Sequence, residues 1–430
     1  MLLVYCQKIT PRFTYAFKHL LYRILGLEVS FTSVIEEFIG YDGAKMSYGK
    51  QPLGNELFVQ EIGLLSQQGI EDVNLTVKDW NGIPTFFSTS EKSSIPFDMF
   101  SAAFYLLSRY EEYLPHVKDS AGRYPASESI SFKHDFLELP IVDIWAFTFK
   151  DILTTSFSEI TFPKKKHTIH NILQIQRPFQ YEQKGLFRSV IGYVRDLSKF
   201  KLKPLAERTK VLLKVRKDPF NTFTWIVNVA KRSSSHLTAF FLLGENESYH
   251  DSLNTHRKSF KQLVKYVGDY KEIGLLYSGQ SLESFETLQT EKKRIEAITN
   301  RTLKSAKQAN FVLSLPENYR NLIELEIVKD FTMAYHDQPG FRGGTCTPFL
   351  FYDLDYEIKT PLLLHPVAVT TEALSTFDSH KIETKVNKLL REVMTVKGTF
   401  SMVFRNEDFV AEDSNEIWRT LFSETLQDYA

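Results

Sequence analysis

The stretch HNILQIQRPFQYEQKG, residues 170–185, begins as an apolar run and ends in a polar loop. This pattern predicts a buried strand whose last two polar residues are Gln174 and Gln176. Proteins with an α/β fold usually carry reactive side chains at the carboxyl ends of strands, so both glutamines are candidate site residues. An amide there can bind a ligand, but it cannot take up a proton or neutralise a cation.

Strand-like runs alternate with amphipathic segments from this stretch to the end of the chain. The runs are IHNILQI, LTAFFLLG, EIGLLYS, NFVLSL, FTMAYH, LLLHPVAV and TFSMVF. Strands that alternate with helices imply parallel pairing. Seven units in roughly 265 residues predict a closed or nearly closed (β/α)7 barrel, because such barrels usually have about 250 residues. A doubly wound open sheet is the alternative, which periodicity does not exclude.

The first 165 residues are organised differently. Short strands (LLVYC and LEVSFTS), turns and one helix-forming segment, PFDMFSAAFYLLSRYEEYL, predict a smaller α/β domain. The polar run FPKKKH at 162–167 is predicted to be a solvated linker. We therefore divide the chain into an N-terminal α/β domain at 1–165 and a barrel domain at 166–430.

Composition narrows the class of protein and of partner. The chain has 430 residues, 43% of them hydrophobic, and its 52 basic residues balance 52 acidic residues. This balance argues against a general nucleic-acid binder, although a local basic patch stays compatible with it. Two cysteines, Cys6 and Cys346, are too few for a disulfide framework, so a reducing compartment is expected.

The amino terminus, MLLVYCQKITPRFTYAF, is interrupted by Lys8, Pro11 and Arg12 and lacks the pattern of a signal peptide. No stretch reaches the roughly 18 apolar residues that indicate a membrane span. We therefore expect a cytoplasmic protein, and any glycan that it binds is expected to be an intracellular precursor.

Several sequence blocks resemble a bacterial branch of the polysaccharide deacetylases, relatives of the NodB-type chitooligosaccharide deacetylases, with an extra N-terminal domain. The blocks are PFDMFSAAFYLLSRYEEYLPH, GRYPASES, GDYKEIGLLYS, EKKRIEAI, LPENYRNL, PGFRGGTCTPFLFYDLDYE and LLLHPVAV. The resemblance spans nearly the whole chain. It implies a distorted barrel of seven strands that removes an acetyl group from an amino sugar with a divalent metal. One aspartate would act as base, a second aspartate and two histidines would hold the metal, and another histidine would be the acid.

The sequence departs from this pattern at the base and the metal ligands. Gln174 and Gln176 stand where the resemblance places two aspartates, and Leu276 stands at the first histidine ligand. Ala309 stands at the second histidine, with Lys307 in the place of a preceding arginine. Neutral or apolar side chains cannot perform these roles, so the metal and the base are expected to be lost together.

The acid is replaced as well, since Arg405 stands at the terminal histidine, whereas Arg342 in FRGGT keeps the family's residue. The sequence therefore favours a non-catalytic relative without cofactor, a carbohydrate-binding or scaffolding protein in surface-polysaccharide metabolism. The alternative is an active carbohydrate N-deacetylase, with a divalent metal such as zinc and ligands at other positions.

A positive pocket is expected at the altered site. The predicted ligand-binding residues are Arg342, Arg405, Lys307, Gln174 and Gln176. Because cations in a partly desolvated cleft need a partner, an acidic sugar or a sugar phosphate is the expected ligand. Alternatively, Arg405 pairs with Glu407 or Asp408 or points to solvent.

Other candidate residues have simpler interpretations. His167 and His170, three apart in a strand-like run, face opposite sides and are interpreted as exposed histidines. Asp353 and Asp355 could share a face, but a structural role is favoured for them. His365 is interpreted as a core histidine.

Two further groups lie near the FRGGT motif. His336 and Asp337 could reach the site mouth, although a role outside the site is favoured. Cys346 is interpreted as a buried core residue rather than a nucleophile. The chain lacks the G-x-S-x-G, phosphate-loop and HExxH patterns.

Overall fold

The computed structural model describes residues 1–184, 186–198, 200, 202–231, 233, 236–244 and 254–427. In chain order, its strands are β1 Leu2–Cys6, β2 Val29–Thr32, β3 Lys45–Gly49, β4 Leu57–Gln60, β5 Lys78–Trp80, β6 Ile83–Thr85, β7 Thr168–Ile175, β8 His236–Leu242, β9 Glu272–Tyr277, β10 Ser305–Gln308, β11 Lys329–Asp330, β12 Phe349–Asp353, β13 Ile358–Leu364, β14 Val369–Thr370 and β15 Thr399–Arg405. Its α-helices are α1 Pro11–Phe17, α2 Ile35–Gly40, α3 Met99–Leu107, α4 Tyr110–Tyr113, α5 Ile130–Lys133, α6 Ile141–Ser156, α7 Leu186–Ser198, α8 Leu202–Leu212, α9 Phe223–Lys231, α10 Lys258–Gly268, α11 Gly279–Glu283, α12 Phe285–Thr299, α13 Glu317–Glu324, α14 Thr371–Leu374, α15 Ser379–Thr395 and α16 Glu416–Gln427.

A four-stranded parallel sheet forms the centre of the N-terminal region. Its order is β2-β1-β3-β4, so the apolar β1 lies inside the sheet and is almost fully buried. Helix α1 begins where the Thr10 hydroxyl accepts the amide hydrogen of Phe13 at 3.0 Å. A π-helix, Lys18–Ile24, continues it. The N-terminal region is therefore mixed α/β.

The helix predicted over PFDMFSAAFYLLSRYEEYL is broken into two parts. Helix α3 begins after Asp98, whose carboxylate accepts the amide hydrogen of Ser101 at 3.1 Å. The break lies at Arg109, which has a φ of 55° and separates α3 from α4. A left-handed residue cannot continue an α-helix, and here it redirects the two glutamates that follow.

A nine-stranded sheet forms the centre of the C-terminal region, in the order β12-β13-β11-β10-β9-β8-β7-β15-β14. Neighbouring strands are parallel except for the pair β12 and β13. The segment after β13 forms hydrogen bonds to two separate parts of this region. Val367 N–H donates to Met333 O, which follows β11, at 2.9 Å, and Ala368 N–H donates to Ser401 O of β15 at 2.9 Å. The fold is therefore mixed α/β with a large, mainly parallel sheet.

The strand predicted at NFVLSL is wrong. The strand is β10, which lies just upstream, and NFVLSL has no strand conformation. The Gln308 side-chain oxygen accepts the amide hydrogens of Asn310 at 2.6 Å and Val312 at 2.9 Å. This side chain satisfies the local backbone donors, so the chain turns after β10 instead of continuing the ladder.

The strands predicted at FTMAYH and LLLHPVAV are displaced towards the amino terminus. β11 ends at Asp330, whose carboxylate accepts the amide hydrogen of Thr332 at 2.9 Å and its hydroxyl at 2.8 Å. β13 ends before Pro366, which lacks the amide hydrogen that a ladder requires.

The two faces of the large sheet bury different clusters. Along β7, Leu173 and Ile175 belong to the main core, whereas Ile172 belongs to a small cluster with Phe240, Leu276 and residues from the other strands. Side chains alternate along a strand, so Gln174 points to the same face as Ile172. Gln174 and this small apolar cluster therefore share one face of the sheet.

The N-terminal region packs directly on the C-terminal region. The buried Arg12 forms an ion pair with the half-buried Glu357, in which Nε lies 2.9 Å from Oε2, although 345 positions separate them. The Tyr15 hydroxyl donates to Leu350 O at 2.7 Å. One hydrophobic core contains residues from both regions. The domain boundary between residues 165 and 166 stays a prediction. Residues on both sides of it contribute to the same hydrophobic core.

The FRGGT motif lies in this contact. Gly344 has a φ of +66°, and a Cβ atom there would lie 2.7 Å from Leu106 Cδ1 of α3. Gly340 has a φ of +138°, and a Cβ atom would lie 2.5 Å from Leu137 O. Only glycine combines this backbone with so close an approach. Gly344 of the motif and Gly340 just before it therefore allow close packing between the regions.

Candidate functional site

Carboxyl ends of neighbouring strands bring the predicted site residues together. Gln174 near the end of β7 is the register partner of Arg405 at the end of β15. Leu276 of β9 is the register partner of Lys307 of β10, and Ala309 lies just beyond β10. These positions consequently lie at one end of the sheet.

Lys307 is a buried cation at the centre of this end. Its side chain has no exposed surface, and its Nζ donates to Gln174 Oε1 at 2.6 Å and to Gln308 O at 3.1 Å. The Phe311 ring covers the same group, since its centroid lies 3.7 Å from Nζ. Two carbonyl acceptors and an aromatic face thus take up the three ammonium hydrogens.

The surroundings shift the protonation of Lys307 and of its neighbour Asp330. Burial lowers the pKa of Lys307 to about 7, although Asp330 and Glu372 favour its charged form. Burial also raises the pKa of Asp330 to about 6, although hydrogen bonds from Thr332 and the charge of Lys307 favour the carboxylate. Lys307 is therefore an amine that gains and loses its proton near neutral pH.

Both candidate glutamines are engaged with the end of β10. Gln174 Nε2 donates to Ala309 O at 3.0 Å, and Gln176 Nε2 approaches the same oxygen at 3.4 Å. Gln174 is buried and bridges Ala309 to Lys307, whereas Gln176 is half-buried at the rim. The amide group suits this bridge because it donates and accepts at once.

These residues do not fit the divalent metal that the sequence resemblance implies. The only side-chain oxygen of Gln174 already accepts from the Lys307 amine, and Leu276 and Ala309 offer no side-chain ligand. A dication beside Lys307 would face a like charge in a site with little solvent to screen it. Among the described residues, no group of three or more His, Cys, Asp or Glu side chains is placed to hold a metal ion.

Arg405 lies at the rim between two carboxylates. Its guanidinium lies 3.7 Å from Glu372 Oε2 and 3.7 Å from Asp408 Oδ1. Its backbone amide donates to Asp408 at 2.8 Å. His336 Nδ1 lies 3.8 Å from the same Glu372 carboxylate, which brings His336 to the mouth. Of the two partners that the sequence suggested for Arg405, the structure selects Asp408, while Glu407 pairs with Arg177 at 2.9 Å.

Arg342 is bound to the N-terminal region. Its Nε and Nη2 donate to the two oxygens of Glu112 at 2.8 and 2.7 Å, and its Nη1 donates to Ala334 O at 3.1 Å. Arg109 donates to Glu112 at 2.7 Å and to the Arg342 carbonyl. Although burial favours the neutral acid, Arg342 and Arg109 outweigh it and lower the pKa of Glu112 to about 2.

The expectation that Arg342 is an unpaired cation of the site is therefore wrong, and for Arg405 the structure shows the alternative, a pair with Asp408. Arg342 is 2% exposed and paired with Glu112, which follows the α3 break and was missed because its partner is distant in sequence. Glu372, the other missed residue, follows the short strand β14. The pair of acids in SRYEEY, within an otherwise apolar segment, was the available signal for Glu112.

The remaining candidates have structural environments. Asp353 and Asp355 both bind Arg320, whose Nε lies 2.7 Å from Asp353 Oδ2 and whose Nη2 lies 3.1 Å from Asp355 Oδ2. Cys346 is fully buried, as predicted for a core residue, and burial raises the pKa of its thiol. Asp337 is exposed.

His170 is buried, so its interpretation as an exposed histidine is wrong. Its Nε2 lies 2.8 Å from the Thr238 hydroxyl, and its ring lies 5.7 Å from that of His236 and 5.9 Å from that of His365. His365 stacks on Phe331, as a core histidine does, but neither ring nitrogen has a hydrogen-bond partner among the described residues.

These three histidines line a cavity of about 740 Å³ at the amino ends of the strands. Lys271, Arg301 and Lys329 also line the cavity, as do Asp269 and Glu272. None of the described residues that line the cavity belongs to the candidate site, so the two are separate.

Family models and known structures give distant matches. A family of unknown function, DUF7033, matches residues 2–158. No curated protein matches the chain. A Mycobacterium smegmatis protein named as a polysaccharide deacetylase has a TM-score of 0.39 and 8% identity, over 62% of this chain and 87% of its own. A CE4 family pseudoenzyme from Bacillus anthracis has a TM-score of 0.32 and 11% identity, over 61% of this chain and 62% of its own.

A mutant of a CE4 family pseudoenzyme with restored enzymatic activity is similar at the same level, with a TM-score of 0.31 and 11% identity over 61% of this chain and 64% of its own. Similarity this remote does not transfer an activity to the present chain.

Among the described helices, none has both the length and the apolar character that a bilayer crossing requires.

Proposed function

We propose that this chain is a polysaccharide deacetylase-like protein that has lost metal-dependent deacetylation. It would act as a carbohydrate-binding or scaffolding protein in surface-polysaccharide metabolism. The proposal places the C-terminal region in the distorted (β/α)7 barrel class and the protein in the bacterial cytoplasm. The observation that carries it is the contact of Lys307 Nζ with Gln174 Oε1 at 2.6 Å.

The Lys307–Gln174 contact removes two requirements of the hydrolytic chemistry. Metal-assisted deacetylation needs a bound cation to polarise the carbonyl and a carboxylate to take the proton. The Lys307 amine occupies the side-chain oxygen of Gln174, and an amide stands where the base is needed. Both side chains are also satisfied by partners within the protein, which stabilises this arrangement.

The rim offers polar groups for a sugar ligand. Gln176 is half-buried, and Arg405, Glu372 and His336 lie side by side around the mouth. Amide, guanidinium and carboxylate groups are suited to hydroxyl and carboxylate groups of sugars. We propose that an acidic sugar or a sugar phosphate binds through Arg405 and Gln176, with Lys307 beneath them.

Acetate release tests the loss of activity. The full-length protein is incubated with N-acetylated chitooligosaccharides, with and without added zinc, cobalt or nickel, and acetate is measured. We expect no release above a protein-free control. Release that a chelator abolishes and metal restores would establish the active deacetylase instead.

Glycan binding tests the remaining role. Neutral acetylated and acidic oligosaccharides are titrated into the protein by calorimetry, with Gln176→Ala as the site variant and Gln51→Ala as an exposed control. Binding that Gln176→Ala weakens and Gln51→Ala leaves intact would support the site. If no glycan binds, the carbohydrate role is wrong, whatever the acetate assay shows.

A further inference from the structure

A basic and apolar helical hairpin leaves the sheet after β7. We call residues 186–217, which contain α7 and α8, the α7–α8 hairpin. This segment has ten Lys or Arg residues against two acidic ones, a formal charge of +8, while the whole chain is neutral. Such a concentration of charge in one-thirteenth of the chain makes the hairpin a separate electrostatic unit.

Apolar side chains of the hairpin point to solvent. Phe200 at the turn is 88% exposed, and Val194 and Leu213 are 62% and 69% exposed. Val190, Val194 and Leu197 follow one another at spacings of four and three, so they share one face of α7. All three are exposed, and so are Leu202, Leu212 and Val215. Contiguous apolar exposure of this kind usually marks an interaction surface.

The buried side of the hairpin contains an ion pair beside the apolar Val211. Arg208 of α8 pairs with Asp196 of α7 at 2.7 Å, and both side chains are buried. The Arg208 guanidinium also packs over the rings of Tyr181 and Tyr193, 5.0 and 5.5 Å from their centroids. An ion pair is hidden while Leu, Val and Phe are exposed, which reverses the usual arrangement of a helix on a soluble core. The outward apolar side chains are thus unused by the fold.

The base of the hairpin is fixed at the carboxyl end of the large sheet. Asp218 accepts the amide hydrogens of Gln180 and Tyr181, both at 2.8 Å. Asn406, directly after β15, donates to Arg177 O and Phe220 O, both at 3.0 Å. These bonds hold both ends of the hairpin at the end of the sheet that carries the candidate site.

We propose that the α7–α8 hairpin docks the protein onto a membrane surface rich in anionic lipid headgroups. Leu, Val and Phe side chains enter the boundary between headgroups and acyl chains, and the interleaved Lys and Arg side chains bind the anionic headgroups. Charge selects this occupant over a second copy of the chain, because two hairpins of +8 repel each other. Docking would hold the candidate site at the lipid surface.

Vesicle flotation tests the apolar contribution. The full-length protein is mixed with vesicles of phosphatidylcholine alone or with phosphatidylglycerol at equal proportion. We expect flotation with the anionic vesicles only. A Val194→Ser, Leu197→Ser and Phe200→Ser triple variant should bind about tenfold more weakly or worse. An Ile39→Ser and Val117→Ser variant, which changes exposed apolar residues outside the hairpin, should bind as the unchanged protein does.

Charge reversal tests the electrostatic contribution. Lys203→Glu, Lys210→Glu and Lys214→Glu together should reduce flotation about tenfold or more, and salt should do the same to the unchanged protein. Lys50→Glu and Lys118→Glu, on other exposed surfaces, are the control. Unaltered circular dichroism in each variant shows that folding is intact.

Two outcomes overturn the proposal. One is equal flotation with neutral and anionic vesicles, or none with either. The other is an oligomer, seen by light scattering, that the serine variant converts to monomer, because this would assign the surface to a second copy.

Discussion

Lys307 Nζ lies 2.6 Å from Gln174 Oε1, inside a sheet end from which solvent is excluded. The amine belongs to one strand and the amide to another, with β8 and β9 between them in the sheet. The contact therefore crosses the interior and ties opposite walls of the candidate site together. Its strength depends on whether the amine carries its proton.

Lys307 should make stability depend on pH above neutrality. Its pKa is lowered to about 7 in the folded protein and is near 10.4 in an unfolded chain. Between these values the unfolded chain binds more protons, so the free energy of unfolding rises with pH. We expect the rise from this group to be about 2 kcal/mol between pH 7 and pH 9.

Urea unfolding of Lys307→Met across this pH range measures the effect. The variant should lack the rise, whereas Gln174→Leu, which keeps the lysine, should retain it. Curves for the unchanged protein and Lys307→Met that stay parallel would contradict the assignment.

Glu112 should be a major acid-sensitive group. Its pKa is lowered to about 2 by Arg342 and Arg109 despite burial, so it stabilises the fold above about pH 4.5. This contribution is lost as pH falls towards 2. Glu112→Gln should cost roughly 3–5 kcal/mol at pH 7, because it leaves buried guanidinium groups without their partner.

The stability gap between the unchanged protein and Glu112→Gln should narrow by about 1.5 kcal/mol between pH 4.5 and pH 3. Glu138→Gln, which alters a partly exposed pair with Lys385 and Lys388, should cost less than about 1 kcal/mol. A constant gap for Glu112→Gln over this range would show that its charge is not what stabilises the contact.

Gly344→Ala should destabilise the contact between the two regions. The new methyl group would lie 2.7 Å from Leu106 Cδ1, on a backbone with a φ of +66°. We expect a loss of about 2–4 kcal/mol in the free energy of unfolding, from strain and overpacking together. Gly82→Ala is the matched control: its φ is +83°, but no atom lies within 4 Å of the added Cβ. It should lose only about 1 kcal/mol, and equal losses would mean that packing at Gly344 is unimportant.

Arg405 should set a preference for acidic over neutral sugars. Its guanidinium is about one-quarter exposed at the rim and lies 3.7 Å from each of two carboxylates, which leaves donors for a ligand. Arg405→Ala should weaken the binding of an acidic oligosaccharide about tenfold and leave the binding of a neutral one unchanged, as measured by calorimetry. Arg320→Ala, which removes an arginine paired with Asp353, is the control. An equal loss of affinity for both sugars would show that Arg405 does not set this preference.

Periodicity predicted the large parallel sheet, because strands buried on both faces give long apolar runs such as LTAFFLLG. It misplaced β10, whose sequence SAKQ carries a buried lysine and glutamine and so does not look like a core strand. The apolar NFVLSL next to it was mistaken for the strand. Propensity fails here because two buried polar side chains are satisfied by tertiary contacts, Lys307 by Gln174 and Gln308 by backbone amides of the turn that follows.

The sequence predicted where the candidate site lies, but it did not predict how the charged residues there are paired. Gln174, Lys307 and Ala309 could be placed from strand ends and from the resemblance, and the structure brings them together. The partners of Arg342 and Arg405 lie 230 positions away and 33 positions away, at Glu112 and Glu372. No local sequence pattern indicates ion pairs between residues so far apart, so these two pairs could not be predicted from the sequence.

The Arg12–Glu357 pair has a consequence for biosynthesis. Ribosomes add on the order of 5–20 residues per second, so the 345 positions between these partners take roughly 20–70 seconds to synthesise. During that time the nascent N-terminal region carries an arginine without its carboxylate and an apolar surface without its cover. Completion of this fold therefore waits for the arrival of Glu357, and the early chain is a natural client for chaperones that hold exposed surfaces.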